Sequence, residues 1–225
     1  MALTRLLSID SVGDAVYSTI RDAIISGELK PGTPLRVPAI AQQLGVSRSP
    51  VREAIIRLTT ERLAHSEPRL GAVVTQITRG DLTGLYEIRE VLEGLAGRLS
   101  ASMIDGDKIK ALGSILVEHE KAVRTNNIEE HVELDLSFHR LIRQSACNSE
   151  LVVLLNHLES QVRLAMLTIT VTSGPKIAFH EHTLIYDAIE AHDPDLAEKT
   201  SRAHIARLRN TLLTQDSRDS NRSVS

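Results

Sequence analysis

The chain has 225 residues, 42% of them hydrophobic and 24% charged, and a formal net charge of −3, which is ordinary for a soluble protein with one large core or two modest ones. Aromatic residues at 2%, with no Trp, favour helices over a sheet-rich fold, and the single cysteine, Cys147, excludes both a disulfide framework and a zinc ribbon. No apolar run reaches the ~18 residues of a membrane span, and Met1-Ala2-Leu3-Thr4-Arg5 lacks the apolar run of a signal peptide, so a cytoplasmic protein without membrane attachment is expected.

The apolar positions Val12, Val16, Ile20 and Ile24 recur at helical spacing over 12–25, and Gly27 with Lys30-Pro31-Gly32 ends that helix in a turn. Pro38 opens a second helix with Ile40, Ala41 and Leu44 on its inner face, and Gly45 closes it. A third helix is expected over 47–63, where Val51, Ala54, Ile55 and Leu58 form a stripe. Two short extended runs follow, Ala64-His65-Ser66 and Ala72-Val73-Val74-Thr75, joined by the loop Glu67-Pro68-Arg69-Leu70-Gly71.

Two short helices joined at a glycine, then a hairpin, form a winged helix-turn-helix. The first turns of the third helix carry Ser47, Arg48, Ser49 and Arg52. Arginine bonds guanine or phosphate in a bidentate way, and serine bonds phosphate oxygens, so these residues suit a DNA groove. Arg69 and Gly71 stand at the wing tip. The charge supports the division. Residues 1–79 hold 10 Lys+Arg against 7 Asp+Glu (+3), and residues 80–225 hold 16 against 22 (−6).

Beyond Gly80 every segment reads as helix, over roughly 81–101, 106–124, 128–145, 149–171, 175–191 and 194–214. In the first of these, Asp81 is the expected cap and Leu85, Ile88, Leu92 and Leu95 the inward stripe. The short polar connections predict an antiparallel bundle of six to seven helices. The mainly α chain is thus expected to comprise a DNA-binding domain at 1–78, a helical domain at 79–214 and a disordered tail at 215–225.

Asp135 and His139 lie four apart and share a helix face, as metal ligands require. His182 and His204 sit among apolar residues on the last two helices, where a ring aimed inward needs a partner. Together the four would bind Zn²⁺, Ni²⁺ or a similar divalent ion with positions left open. Taken alone, the same residues also fit an exposed helical pair and satisfied core histidines. A metalloenzyme and a purely structural ion both stay open as well. No Glu is followed by His three residues later, and there is no His-Glu-x-x-His.

The segment Leu44-Gly45-Val46-Ser47-Arg48-Ser49-Pro50-Val51-Arg52-Glu53-Ala54-Ile55, with Ile25 to Gly32 before it, resembles the signature of the GntR family of bacterial transcription regulators. The likeness implies that Arg48, Arg52 and the wing tip contact operator DNA. Val37-Pro38-Ala39 departs from the polar residues, often with an arginine, that the family usually carries there, so no contact carries over at that point. Residues 80–212 resemble the FCD ligand-binding domain of the FadR-like branch, through Leu85 to Glu93, Asp135…Phe138-His139, Asn148, Glu181-His182 and Ala203-His204. That likeness implies a metal held by Asp135, His139, His182 and His204, with a small carboxylic acid bound at it. Arg89, and second Arg163, are the candidate counter-charges. A homodimer reading a near-palindromic operator, with the acid shifting DNA affinity, is the expected function.

Overall fold

The computed structural model describes residues 12–166 and 174–222, with the side chains of the last helix described as far as Thr214. The N-terminal elements are α1 (Val12–Ile25), α2 (Val37–Leu44), α3 (Arg48–Thr60), β1 (Ala64–Glu67) and β2 (Gly71–Val74). The helices that follow are α4 (Arg79–Met103), α5 (Gly106–Arg124), α6 (Ile128–Ser145), α7 (Ser149–Met166), α8 (Pro175–Glu190) and α9 (Pro194–Arg222). These elements form two compact units. One holds the described residues up to Ile77 and the last turns of α7 from Ser160; the other runs from Thr78 to Glu159 and takes in α8 and α9.

In the first unit the stripe Val51, Ala54, Ile55 and Leu58 of α3 is buried, as are Val16, Ile20 and Ile24 of α1. Gly45 ends α2 in the left-handed region at φ 65°, and its N–H returns to α2 carbonyls. β1 pairs antiparallel with β2, Ala64 opposite Val74 and Glu67 opposite Gly71. The segment before α2 lies along the other edge of β2, with Leu35 N–H donating to the Ala72 carbonyl at 2.8 Å. Arg69 (φ 70°) and Gly71 (φ 81°) supply the positive φ that closes this hairpin.

The helical unit has its core in Ala96, Leu112, Leu116, Phe138, Ile142, Leu155, Ile185 and Ile189. Thr78, not Asp81, is the N-cap of α4. Its hydroxyl accepts from Asp81 N–H, and the Asp81 carboxylate accepts from Thr78 N–H, which makes a capping box. The buried face of α4 also differs from the leucine stripe expected from the sequence. Leu82, Tyr86, Arg89, Glu93, Gly97 and Ser100 are buried, whereas Ile88 and Leu95 are exposed. Leu85 and Leu92 of the expected stripe are half-buried against the core, and the face turns toward the small residues where α9 comes close, at Gly94 and Gly97.

Glycine permits that approach. A Cβ on Gly97 would lie 2.5 Å from Ser201 Oγ and 2.8 Å from the Ala197 carbonyl oxygen. Gly84 of the same helix has open space around it. Gly97→Ala is therefore expected to destabilise the protein by about 1–3 kcal/mol through overpacking. Gly84→Ala should stabilise it by up to about 1 kcal/mol through helix propensity. Urea denaturation of both variants checks this, and equal signs for the two would refute the packing argument.

At the other end, α9 continues eight residues past the point where a disordered tail was expected, to Arg222. No Gly or Pro follows Pro194 before that position, and a polar composition alone does not stop a propagating helix. Residues 223–225 of the expected tail, and 167–171 of the expected seventh helix, lie outside the described residues.

Candidate nucleic-acid interface and metal centre

Ser47 is the N-cap of α3, and Arg48, Ser49 and Arg52 in its first turns are all exposed. Ser49 Oγ donates to Glu53 Oε1 at 3.3 Å, so this serine already has a partner within the helix. Arg69 and Gly71 at the hairpin end are exposed too. The sequence-predicted DNA residues thus share one property, access, while the opposite stripe of α3 is fully committed to packing.

Arg57 behaves differently. It donates to Asp14 Oδ1 at 2.6 Å, and its guanidinium lies 3.9 Å from the centre of the Tyr17 ring. The Tyr17 hydroxyl in turn donates to the Glu61 carboxylate at 2.6–2.7 Å. Burial and this bond push the Tyr17 hydroxyl up to about 12, so it remains a donor throughout the physiological range. These contacts fasten α3 to α1 and fix the angle at which the arginines of the first turns are presented.

In the helical unit His139 of α6, His182 of α8 and His204 of α9 are buried, and each offers a ligand atom within 4.8 Å of the others'. Asp135 Oδ1, one turn before His139, lies 3.4 Å from His182 Nε2. Phe138 stacks on His182 at 4.6 Å between ring centres and so fixes that ring's plane. The Nε2 atoms of His139 and His182 are buried without a hydrogen-bond partner. His204 Nδ1 donates to Glu181 Oε2 at 2.7 Å, which leaves its Nε2 with a free lone pair. Burial, then the neighbouring imidazoles, hold His139 and His182 well below the usual histidine range, so both rings are neutral. Burial also raises the Asp135 carboxyl.

Neutral imidazoles with unpartnered nitrogens and a carboxylate short of a cation fit a divalent metal. His139, His182, His204 and Asp135 would hold it, and nitrogen with oxygen donors suits Zn²⁺ or Ni²⁺. An ion there would supply an electrophilic point for an acid.

Of the charges beside this group, only Arg89 was expected from the sequence. Glu93 of α4 accepts from Arg143 Nη2 at 2.5 Å and from Arg89 Nε at 3.3 Å, and Arg143 Nη1 donates to Glu159 at 2.5 Å. Glu93, Arg89 and Arg143 are all buried. Burial opposes the charge on Glu93, but Arg143 and then Arg89 hold it below the ordinary carboxylate range. Arg89 is therefore interior, as expected, but on the polar face of α4 and already paired. A signal for the rest was present in α6, where His131, Asp135, His139 and Arg143 follow one another at four-residue spacing along one face. Arg163 of α7 is half-buried and belongs to the other compact unit. Asn148 has a structural role, its Oδ1 accepting from Leu151 N–H at the start of α7.

A winged helix-turn-helix joined to a helical unit defines a DNA-binding protein with a second, helical domain. Residues 13–74 match the gntR family of bacterial regulatory proteins, and residues 81–207 match the FCD domain. The chain belongs to the gntR family and carries an FCD domain; it is a DNA-binding transcriptional regulator. It is 28% identical over 203 residues to the HTH-type transcriptional repressor RspR of Escherichia coli, covering 90% of this chain and 89% of that protein. It is 34% identical over 195 residues to a probable D-xylose utilization operon transcriptional repressor of Paenarthrobacter nicotinovorans, covering 85% and 86%. To the gluconate operon transcriptional repressor of Bacillus licheniformis it is 30% identical over 204 residues, covering 87% and 83%. The fold is shared with Escherichia coli McbR/YncC, at a TM-score of 0.73 and 21% identity over 92% of this chain and 99% of that one. Among the described residues no helix is long and apolar enough to cross a membrane.

Proposed function

We propose that this regulator is a metabolite-responsive repressor acting as a cytoplasmic homodimer on a near-palindromic operator. A small carboxylic acid binds at a divalent ion held by Asp135, His139, His182 and His204, and the binding changes operator affinity. The observation that carries this reading is the set of three buried histidines, two of which, His139 and His182, have unpartnered ring nitrogens, because a protein interior leaves such atoms unpaired only at a cost. Arg89 supplies positive charge for the acid when it exchanges Glu93 for the ligand. A relative named for a gluconate operon supports an acid as the signal. The acid shifts the equilibrium only by its differential affinity for the DNA-competent and DNA-incompetent states.

The DNA half is tested by fluorescence anisotropy on the protein's own upstream region. Arg48→Ala and Arg52→Ala should each weaken binding by about 1–3 kcal/mol, and unchanged binding by both would remove α3 as the reading helix. The sensing half is tested by a thermal-shift screen of organic acids with and without chelator. Acids should shift only the metal-loaded protein and should alter its operator affinity. A screen in which no acid does so would overturn the sensor reading.

A further inference from the structure

The polar line of α6 starts one turn before Asp135, at His131, and leads to a residue of α5. His131 Nδ1 lies 2.6 Å from His119 Nε2, and the two rings stack with centres 4.8 Å apart. His119 is fully buried. Its ring centre is 5.4 Å from that of His182, and it meets Phe179 edge-on at 5.7 Å. Its Nδ1 has no hydrogen-bond partner, and neither has the buried hydroxyl of Tyr86 on α4. Ring packing accounts for the stacking, but it leaves unexplained a buried nitrogen with nothing to bond.

The bond between the two histidines ties their tautomers together, since each neutral imidazole carries one N–H. When His119 donates from Nε2, its Nδ1 is a bare acceptor. When His131 donates from Nδ1, the His119 Nδ1 carries the proton instead. The two forms carry the same number of protons, so the pair is neutral in both. His119 thus carries at Nδ1 either a lone pair or an N–H, on a ring whose centre lies 5.4 Å from that of His182. A hydroxyl group, which donates and accepts, satisfies both forms, whereas a methylene satisfies neither.

We propose that His119, with its tautomer set by His131, is a ligand-reading residue that selects acids bearing a hydroxyl beyond the carboxylate over their unhydroxylated counterparts. This assignment rests on the acid-sensing reading above and adds a site outside the four metal-ligating residues. A hydroxyl on the carbon next to the carboxylate could also chelate the metal, so the informative acids carry it further along the chain.

The test uses calorimetry on the full-length, zinc-loaded protein with acetate, propionate and butyrate against β- and γ-hydroxybutyrate. One of the hydroxy acids should bind about fivefold or more tightly than butyrate, the worth of one net hydrogen bond. His119→Phe keeps an aromatic ring against Phe179 and should abolish that preference. His131→Phe, which unties the tautomer but leaves His119 in place, should reduce it. In ¹⁵N-histidine spectra of the wild type, the preferred hydroxy acid should move the His119 Nδ1 resonance and butyrate should not, a reading that needs no variant to fold. If none of the five acids binds, the acid-sensing reading fails and this one fails with it. If butyrate binds but neither hydroxy acid is preferred, or the preference survives in His119→Phe, this assignment alone is overturned.

Discussion

Replacing Glu93 with leucine is expected to cost the folded chain about 3–5 kcal/mol, because it leaves two buried guanidinium groups short of their counter-charge. Glu93 is 2% exposed and lies 2.5 Å from Arg143 and 3.3 Å from Arg89, which are 1% and 5% exposed. Arg143 keeps Glu159, but Arg89 is left facing the Tyr86 ring. The loss should appear as a lower urea midpoint with an unchanged slope, followed by the helical circular dichroism signal. Arg98→Ala, which removes pairs to Asp195 and Glu198 in a solvent-screened position, is the control and should move the midpoint far less. Equal shifts in the two variants would show that the buried charges are not what holds α4 to α6. The same reasoning bears on sensing. Because Glu93 already occupies Arg89, an acid that recruits Arg89 must compete with that pair, and the competition sets how far the effector can change the balance between states.

The helices were legible because their spacing and their stops are written locally. Gly45, Asn127 and Asn148 mark ends that α2, α6 and α7 respect. The inner face of α3 was legible for the same reason, with four apolar residues on one stripe and arginines on the other. The face of α4 was legible only in part, with Leu85 and Leu92 against the core but Ile88 and Leu95 exposed, because two stripes compete there. Which one turns inward depends on α9, whose Ala197 and Ser201 demand glycine opposite. That is a tertiary fact, and nothing within α4 states it. The metal candidates were identified from an i, i+4 pair and a family likeness, and the structure brings Asp135, His139, His182 and His204 together. Glu93, Arg143 and His119 went unassigned because each acquires meaning only across helices. His131 of α6 likewise acquires its role from another helix, through its bond to His119 of α5. A charged or titratable residue in a helix reads as surface until a neighbouring helix supplies its partner.

Zinc added to the metal-free protein is expected to raise its unfolding free energy by about 4 kcal/mol when free metal stands at roughly a thousand times its dissociation constant. The reasoning is geometric. The three histidines come from α6, α8 and α9, so one ion at their shared point would link three helices that unfold together. His182 is the centre of the group, in ring contact with His139, His204 and Phe138 and 3.4 Å from Asp135. His182→Ala should therefore lose the zinc-dependent gain. The gain is read as the difference between zinc-loaded and chelator-treated protein within each variant, which cancels the cavity the alanine leaves. Glu181→Gln should keep the gain but require about 10–100-fold more zinc, since it weakens the partner that orients His204. His180→Ala, an exposed position on the same helix, should behave as the wild type. A zinc-dependent gain that persists undiminished in His182→Ala would place the ion elsewhere, and the acid-sensing site would have to move with it.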